Sequence, residues 1–377
     1  MNIKIGRKIK QKEGFQAFVL DKFPSKEIFK IPNELILKAD KASSLVGKLD
    51  GITQTLPDLD FYLKMYVIKD ATSSAQIEGT KATLVDAIEL ESGVATKDTD
   101  ADDILHYIDA MHYGTKRLKT LPLSLRLIRE IHNKLMTNAR STHFADPGQF
   151  RKTQNWIGGT RPDNADFVPP PVAEMINALG DFEKFLHNEN STLPLIHIAL
   201  AHAHFETIHP FLDGNGRTGR LLITLLLCHR GTLEKPVLFL SSYFKKHQKA
   251  YYAFLSDYHN GNIESWVKFF LEGIIETAQN AIQISREIQE LRDNDMMKIM
   301  SLAKRESESG VAVLSHLYGN PIINTRLVME WTGYTRAGAI RVIDRFVGLG
   351  ILVPKDTRGT YDSTYIYNKY LNIFINN

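Results

Sequence analysis

Two runs that read as helix enclose a loop of glycines and charge, and this order constrains the chain more than any other feature. The loop is HPFLDGNGRTGR, from His209 to Arg220. Before it stands LPLIHIALAHAHFETIH, rich in Ala, Leu and His. After it comes LLITLLLC, an apolar run too short to span a bilayer. Gly214, Gly216 and Gly219 satisfy G-x-G-x-x-G. A dinucleotide-binding turn needs a strand before that fingerprint and an acidic residue about 20 positions after it. The preceding run is helical in character, and KPVLFLSSY, near that distance, holds no acid. The fingerprint therefore does not mark a Rossmann turn.

The residues describe a different anion site. Gly214 and Gly216 permit a tight loop at positive φ. A glycine loop that opens a helix presents backbone N–H groups together with the positive end of the helix dipole, which suits a polyphosphate. Arg217 and Arg220 fall on one helical face and can share a phosphate chain. Asn215 can donate to a phosphate oxygen. Asp213 offers a hard oxygen for Mg²⁺. His209 is the natural proton acceptor near neutral pH. Together they point to transfer of a phosphorus group onto a hydroxyl.

With 377 residues the chain is long enough for two or three domains. Its formal net charge of +3 neither demands nor forbids nucleic acid. The single cysteine, Cys228, excludes an internal disulfide and reads as core. The basic N-terminus lacks the apolar stretch of a secretory signal, so a cytoplasmic protein is expected, with no membrane partner.

The pattern predicts a mainly α chain in three parts: an N-terminal helical region over 1–103, a helical core over 104–292 and a small C-terminal domain over 300–377. Pro24 and Pro32 break the first stretch into irregular or short pieces. Helical patterning from Asn33 to Glu91 is interrupted around Asp50, Gly51 and Pro57. Asp100 or Asp102 is placed to cap the next helix. FRKTQNWIGGTRPDNADFVPPP reads as a β-hairpin or extended flap, and RDND as a hinge. In the tail, helices near Ala312–Tyr318, Thr325–Thr332 and Thr335–Leu349 precede two strands around Asp-Thr-Arg-Gly-Thr. That layout suggests a winged helix-turn-helix. The last of the three would be the recognition helix, offering Arg336, Arg341 and Arg345 to phosphates and Thr335 to bases, with Ala337, Ile340, Ile343, Phe346 and Val347 as its core face. Acidic neighbours dilute the basic patch, so a protein-interaction or dimerisation module is the first reading and DNA contact the second.

The motif resembles the signature of the Fic family, H-P-F-x-D/E-G-N-G-R-x-x-R, and every defined position matches. The resemblance covers roughly Leu123 to Glu276 and extends more weakly over the N-terminal helices. It implies a Fic helical core, with ATP and Mg²⁺ as cofactors and transfer of AMP to Ser, Thr or Tyr hydroxyls of a protein, the enzyme itself among the targets. His209 would be the base and Asp213 the metal ligand. Gly214, Asn215 and Gly216 would hold the α-phosphate region, Arg217 and Arg220 the β- and γ-phosphates. Thr218 and Gly219 complete the nucleotide-binding run, and Phe211 packs beneath it. Tyr251 or Tyr252 would bound the base. The flap would pair with the target backbone, with Gly158 and Gly159 admitting it.

Upstream, SSAQIEGT by itself reads as a helix turn ending at a glycine. Beside the Fic signature it resembles the family's inhibitory motif, with Ser74, Glu78 and Gly79 as its defined residues. Glu78 would then reach Arg220 and take the place of the γ-phosphate. A homodimer is also implied. The alternatives are another nucleotide donor, removal of AMP, or a nucleotide-sensing DNA-binding regulator. His197, His202 and His204 lack a zinc-binding spacing and read as packing residues.

Overall fold

Both runs do fold as helices deep in the molecule: every residue from Leu195 to Ile208 is buried, and so is every residue from Leu221 to Leu227. A helix without a polar stripe must lie inside the molecule. The computed structural model describes residues 4–24, 30–54, 56, 59–93, 99–138, 146–188, 192–355 and 363–376. The described chain opens with an antiparallel hairpin of β1 (Gly6–Lys10) and β2 (Gln16–Leu20). Next come α1 (Asn33–Gln54), α2 (Leu59–Ile77), α3 (Leu84–Glu91), α4 (Thr99–Arg117) and α5 (Leu125–Met136). After these are α6 (Val172–His187), α7 (Pro194–Ile208), α8 (Asn215–His229), α9 (Ser241–Lys246), α10 (Gln248–His259) and α11 (Ile263–Met300). The C-terminal part adds α12 (Lys304–Gly319), β3 (Ile322–Ile323), α13 (Thr325–Thr332), α14 (Arg336–Gly348), β4 (Val353–Pro354), β5 (Tyr365–Ile366) and α15 (Asn368–Asn376).

α7 and α8 pack on each other at the centre. α4 and α5 pair beside them, and α1 lies along α11. α2 is held between α4, α9 and α12, which carries its C-terminal end toward the start of α8. The C-terminal strands form an antiparallel sheet in the order β3-β5-β4. With three helices before the last two strands, the tail has the expected element order. α15 then packs back onto α11 and was not foreseen. No helix of the described residues is long and apolar enough to cross a membrane.

Several expectations are corrected. The first stretch is made of short pieces as read, but they pair as a β-hairpin that was not foreseen: Phe18 N donates to Val168 O at 2.8 Å, so pairing to the flap exit also holds the two short strands. Gly51 sits inside α1, which runs on to Gln54. α4 already begins at Thr99, so Asp102 lies within its first turn. RDND is no hinge, because α11 continues through it and Asp295 accepts a hydrogen bond from the Tyr367 hydroxyl at 2.7 Å. The flap, by contrast, is as expected: an extended loop closed by one antiparallel β-bridge between Ile157 and Phe167. On α14 the buried face is Ala339, Val342, Ile343 and Phe346, while Ala337 and Ile340 are exposed. Thr335, exposed at the start of α14, caps the helix, and Arg345 pairs with Glu306 at 2.6 Å. Asp-Thr-Arg-Gly-Thr lies outside the described residues.

Candidate active site

α7 ends because His209 turns left-handed, at φ 49 and ψ 60, and its N–H still donates to Phe205 O at 3.0 Å. A non-glycine residue in this conformation is strained and must be held by its surroundings. The holder is Arg151, which the sequence reading missed. Buried beneath the loop, Arg151 donates from Nε to His209 O at 3.0 Å and from its terminal nitrogens to Thr153 O and Pro170 O. Asn155 donates to Phe211 O at 2.8 Å. Such residues carry no local signal in a sequence, since their partners lie far along the chain.

His209 Nδ1 donates to Glu206 O at 3.3 Å, which leaves Nε2 with its lone pair. Burial lowers the His209 pKa to about 4, so the imidazole is neutral at pH 7 and able to accept a proton. Phe211 is fully buried and stacks on His132 at 3.7 Å. His132 accepts at Nδ1 from Gly148 N and donates from Nε2 to Asp213 O, each at 2.9 Å, fixing the loop from below.

Gly214 opens α8 at φ 76, and a Cβ there would come within 2.6 Å of Met136 Sδ. Conformation and space both demand glycine. Gly214→Ala is expected to cost about 1–3 kcal/mol, measured as the shift in denaturant unfolding; an unchanged midpoint would contradict this geometry. Gly216, by contrast, is helical and not at positive φ. It is required for space: a Cβ would lie 2.5 Å from Glu78 Oε1 and 2.9 Å from an Arg220 nitrogen.

Asn215 does not face a ligand. Its amide closes the loop on itself, accepting from Phe211 N at 2.8 Å and donating to Phe211 O at 2.9 Å. Thr218 and Gly219 are buried, and a Cβ on Gly219 would meet Glu206 Oε1 at 2.1 Å. These residues shape the nest without lining it. What remains toward solvent is the first turn of α8, whose N–H groups have no intrahelical acceptor. Asp213 Oδ1 accepts from Gly214 N at 2.6 Å, and its side chain is 42% exposed. An exposed carboxylate at the mouth of an anion nest suits Mg²⁺, which takes most of its ligands from phosphate and water.

The two arginines diverge. Arg217 lies 3.9 Å from both Asp103 and Asp213, and is buried. Arg220 donates to Ser74 Oγ at 2.8 Å, to Ser74 O at 3.1 Å and to Glu78 Oε1 at 2.7 Å. Burial works against the Arg220 charge, but the Glu78 carboxylate outweighs it and holds the guanidinium protonated. α2 ends at Ile77, and Gly79 turns the chain at φ 94, so the expected glycine turn is present and aims Glu78 over Gly216. Glu206, also unforeseen, is buried with Oε1 unbonded, and burial raises its pKa to about 7.

Tyr251 is not placed to bound a base. It is buried, stacked on Phe244 at 4.4 Å, and its hydroxyl pairs with His202 Nε2 at 2.9 Å. Its neighbour Tyr252 is 46% exposed and is the better placed of the two. The three helix histidines are packing residues as expected: His197 bonds Phe185 O, His202 bonds Gly219 O, and His204 stacks on Phe23. Cys228 is half-buried, and burial pushes its thiol up to about 12, so it is no nucleophile at neutral pH.

Burial holds six histidines below their ordinary range: His132, His197 and His209 at about 4, His202, His204 and His259 at about 3. Unfolding lets each titrate near 6.5, so the unfolded chain binds more protons between about 4 and 6.5, and stability falls as pH drops through that window. Glu206 opposes them, since its raised pKa favours the fold below about 7. The melting temperature is expected to be clearly lower at pH 5 than at pH 7; equal values would contradict the burial of neutral imidazoles.

Comparison with known proteins matches the loop and its setting. The Fic/DOC family pattern matches residues 122–227, and the Fic/DOC family N-terminal pattern matches residues 36–116. Protein adenylyltransferase Fic of Drosophila grimshawi is 32% identical over 248 residues, 63% of this chain and 46% of that protein. The Drosophila melanogaster protein of the same name is 29% identical over 247 residues, 63% of this chain and 45% of that one. The chain thus spans about half the length of the curated relatives it matches. A Fic family protein from Desulfovibrio desulfuricans superposes with a TM-score of 0.59 at 18% identity, covering 89% of this chain and 97% of that one. Fic-1 from C. elegans superposes at 0.53 with 22% identity, covering 66% and 73%. A complete signature loop, set between the two central helices and matched along with the helices before it, places this chain in the Fic/DOC family.

Proposed function

We propose that the chain is a protein adenylyltransferase that moves AMP from ATP to a Ser, Thr or Tyr hydroxyl of a protein, and that Glu78 holds it in check. The observation that carries this reading is the pairing of Arg220 with Glu78 directly above the glycine loop, beside a neutral His209 with Nε2 open. The names of the Drosophila relatives support the same activity.

In the proposed reaction the target hydroxyl oxygen attacks the α-phosphorus, and the bond from phosphorus to the pyrophosphate oxygen breaks. His209 Nε2 takes the hydroxyl proton, and pyrophosphate leaves with its negative charge. Mg²⁺, when bound at Asp213, would neutralise phosphate charge. The α8 N-terminus stabilises the charge that develops on the α-phosphate. Arg220, once free of Glu78, pairs with the terminal phosphates. The fixed loop holds these groups in one geometry, and most of the rate enhancement is positioning and charge neutralisation.

The flap lies across from the loop, its bridge strand pinned by Arg151 and by Phe18 pairing with Val168. Gly158 and Gly159 stand at φ 70 and 65, so the tip is a tight turn beside an exposed Trp156. A target segment pairing there would bring its hydroxyl to His209. Homodimer formation and a cytoplasmic setting belong to the same reading. The tail serves a protein partner or a second copy better than DNA, because Arg345 is held by Glu306.

The test uses nucleotides labelled at the α-phosphorus. ATP, GTP, CTP and UTP are offered separately to the Glu78→Gly protein with Mg²⁺ and a cell lysate. Label on protein from ATP alone supports the reading. Label from another nucleotide alone overturns the choice of donor, and absence of label from all four overturns transfer.

A further inference from the structure

On the side of α2 away from α4, a cavity of about 310 Å³ opens between α2, α9, α11 and the end of α15. That volume is at the small end of ligand sites. Tyr66, Phe239 and Ile284 give it an apolar wall, and Ser242 and Thr277 offer hydroxyls. Its charges are matched except for one. Lys246 pairs with Glu276 at 2.6 Å. Asp70 is occupied, accepting from the Tyr107 hydroxyl at 2.7 Å and from Ser241 N at 3.1 Å. Lys69 lines the same cavity and has no hydrogen bond or ion pair among the described residues. Burial lowers its pKa to about 8. An ammonium kept from water without a counter-charge is unfavourable, and a ligand that brings the missing negative charge relieves it.

We infer that this cavity is a regulatory binding site for a small organic anion, a compact carboxylate or phosphate monoester whose acidic group pairs with Lys69 and whose body lies on Tyr66 and Phe239. Lys69 is on α2, the helix that delivers Ser74 and Glu78 to Arg220. The cavity wall is tied to that end of α2, because Ser242 Oγ bonds Ser73 Oγ at 3.0 Å. A bound anion bridges α2 to α9 and α11, stiffens the seat of Glu78 and deepens the inhibition. Binding stands independently of the proposed transferase activity; the effect on rate rests on it.

The test titrates benzoate, phenyl phosphate and neutral benzamide into the full chain, followed by ligand-detected NMR and by thermal unfolding. Benzoate or phenyl phosphate is expected to bind and to raise the melting temperature. Benzamide should bind about tenfold more weakly or less, and Lys69→Met should lose about tenfold or more, the effect of one charge-assisted contact. Lys69→Arg should keep binding. If Lys69→Met does not fold, Thr277→Trp fills the cavity from α11 and must abolish binding. Absence of binding by both anions, benzamide binding as well as benzoate, or an unaltered Lys69→Met overturns the site. Where transfer is measurable, the bound anion should slow wild type and leave Glu78→Gly unaffected; equal slowing of both overturns the regulatory role. A chain that binds anions but labels nothing keeps the site and discards the activity.

Discussion

His209→Ala is expected to lower AMP transfer by roughly 10²–10⁴-fold while leaving ATP binding nearly intact. The imidazole is the one group placed to take the hydroxyl proton, with Nδ1 committed to Glu206 O and Nε2 open. The phosphate-binding parts are elsewhere, in the first turn of α8 and at Arg220, and do not depend on it. Separate measurements of nucleotide affinity and transfer rate therefore split in this variant. Equal losses in both would place His209 in binding. Because burial lowers its pKa to about 4, the imidazole is already neutral at pH 6. The rate profile should lack a falling acid limb near 6.5 and show one only toward pH 4, where protonation removes the base. A limb centred near 6.5 would contradict the burial of His209.

Glu78→Gly is expected to raise transfer about 10- to 100-fold, as removal of one charge-assisted contact to a buried guanidinium allows. Glu78 Oε1 sits 2.7 Å from Arg220 and within 2.5 Å of where a Gly216 Cβ would be, so it covers the floor that terminal phosphates would use. Ser74 stays bound to the same arginine through Oγ and its carbonyl, so Arg220 keeps its direction when the carboxylate goes. Glu78→Gln should fall between, since it retains an acceptor and loses the charge. Initial rates of labelling for the three proteins give the order directly, and a Glu78→Gly protein no faster than wild type removes Glu78 from the inhibitory role.

The helices were legible where burial is one-sided or complete. The helical run before His209 and the glycine turn after Glu78 read true, because residue preference and glycine placement act locally. The signature loop was legible as a block, but not every job within it was. Asn215 looked like a phosphate donor and instead closes the loop on Phe211, and Gly216 looked like a turn and is helical. Both outcomes depend on what packs against the residue. Tyr251 was misread for the same reason: aromatic spacing on a helix cannot tell a ring against His202 from a ring against a base. Arg151, His132 and Glu206 were missed because each acts through backbone or charge partners distant in sequence. The β1–β2 hairpin escaped because its stability comes from the flap strand, 150 residues away by the Phe18–Val168 hydrogen bond.

Intact mass decides most directly. Wild type, Glu78→Gly and the double variant Glu78→Gly with His209→Ala are incubated with ATP and Mg²⁺, alone and with a protein lysate. The expected result is an added AMP mass on protein with Glu78→Gly, much less with wild type and none with the double variant. AMP addition by the double variant at the rate of Glu78→Gly would contradict His209 as the base, and equal addition by wild type and Glu78→Gly would contradict the brake.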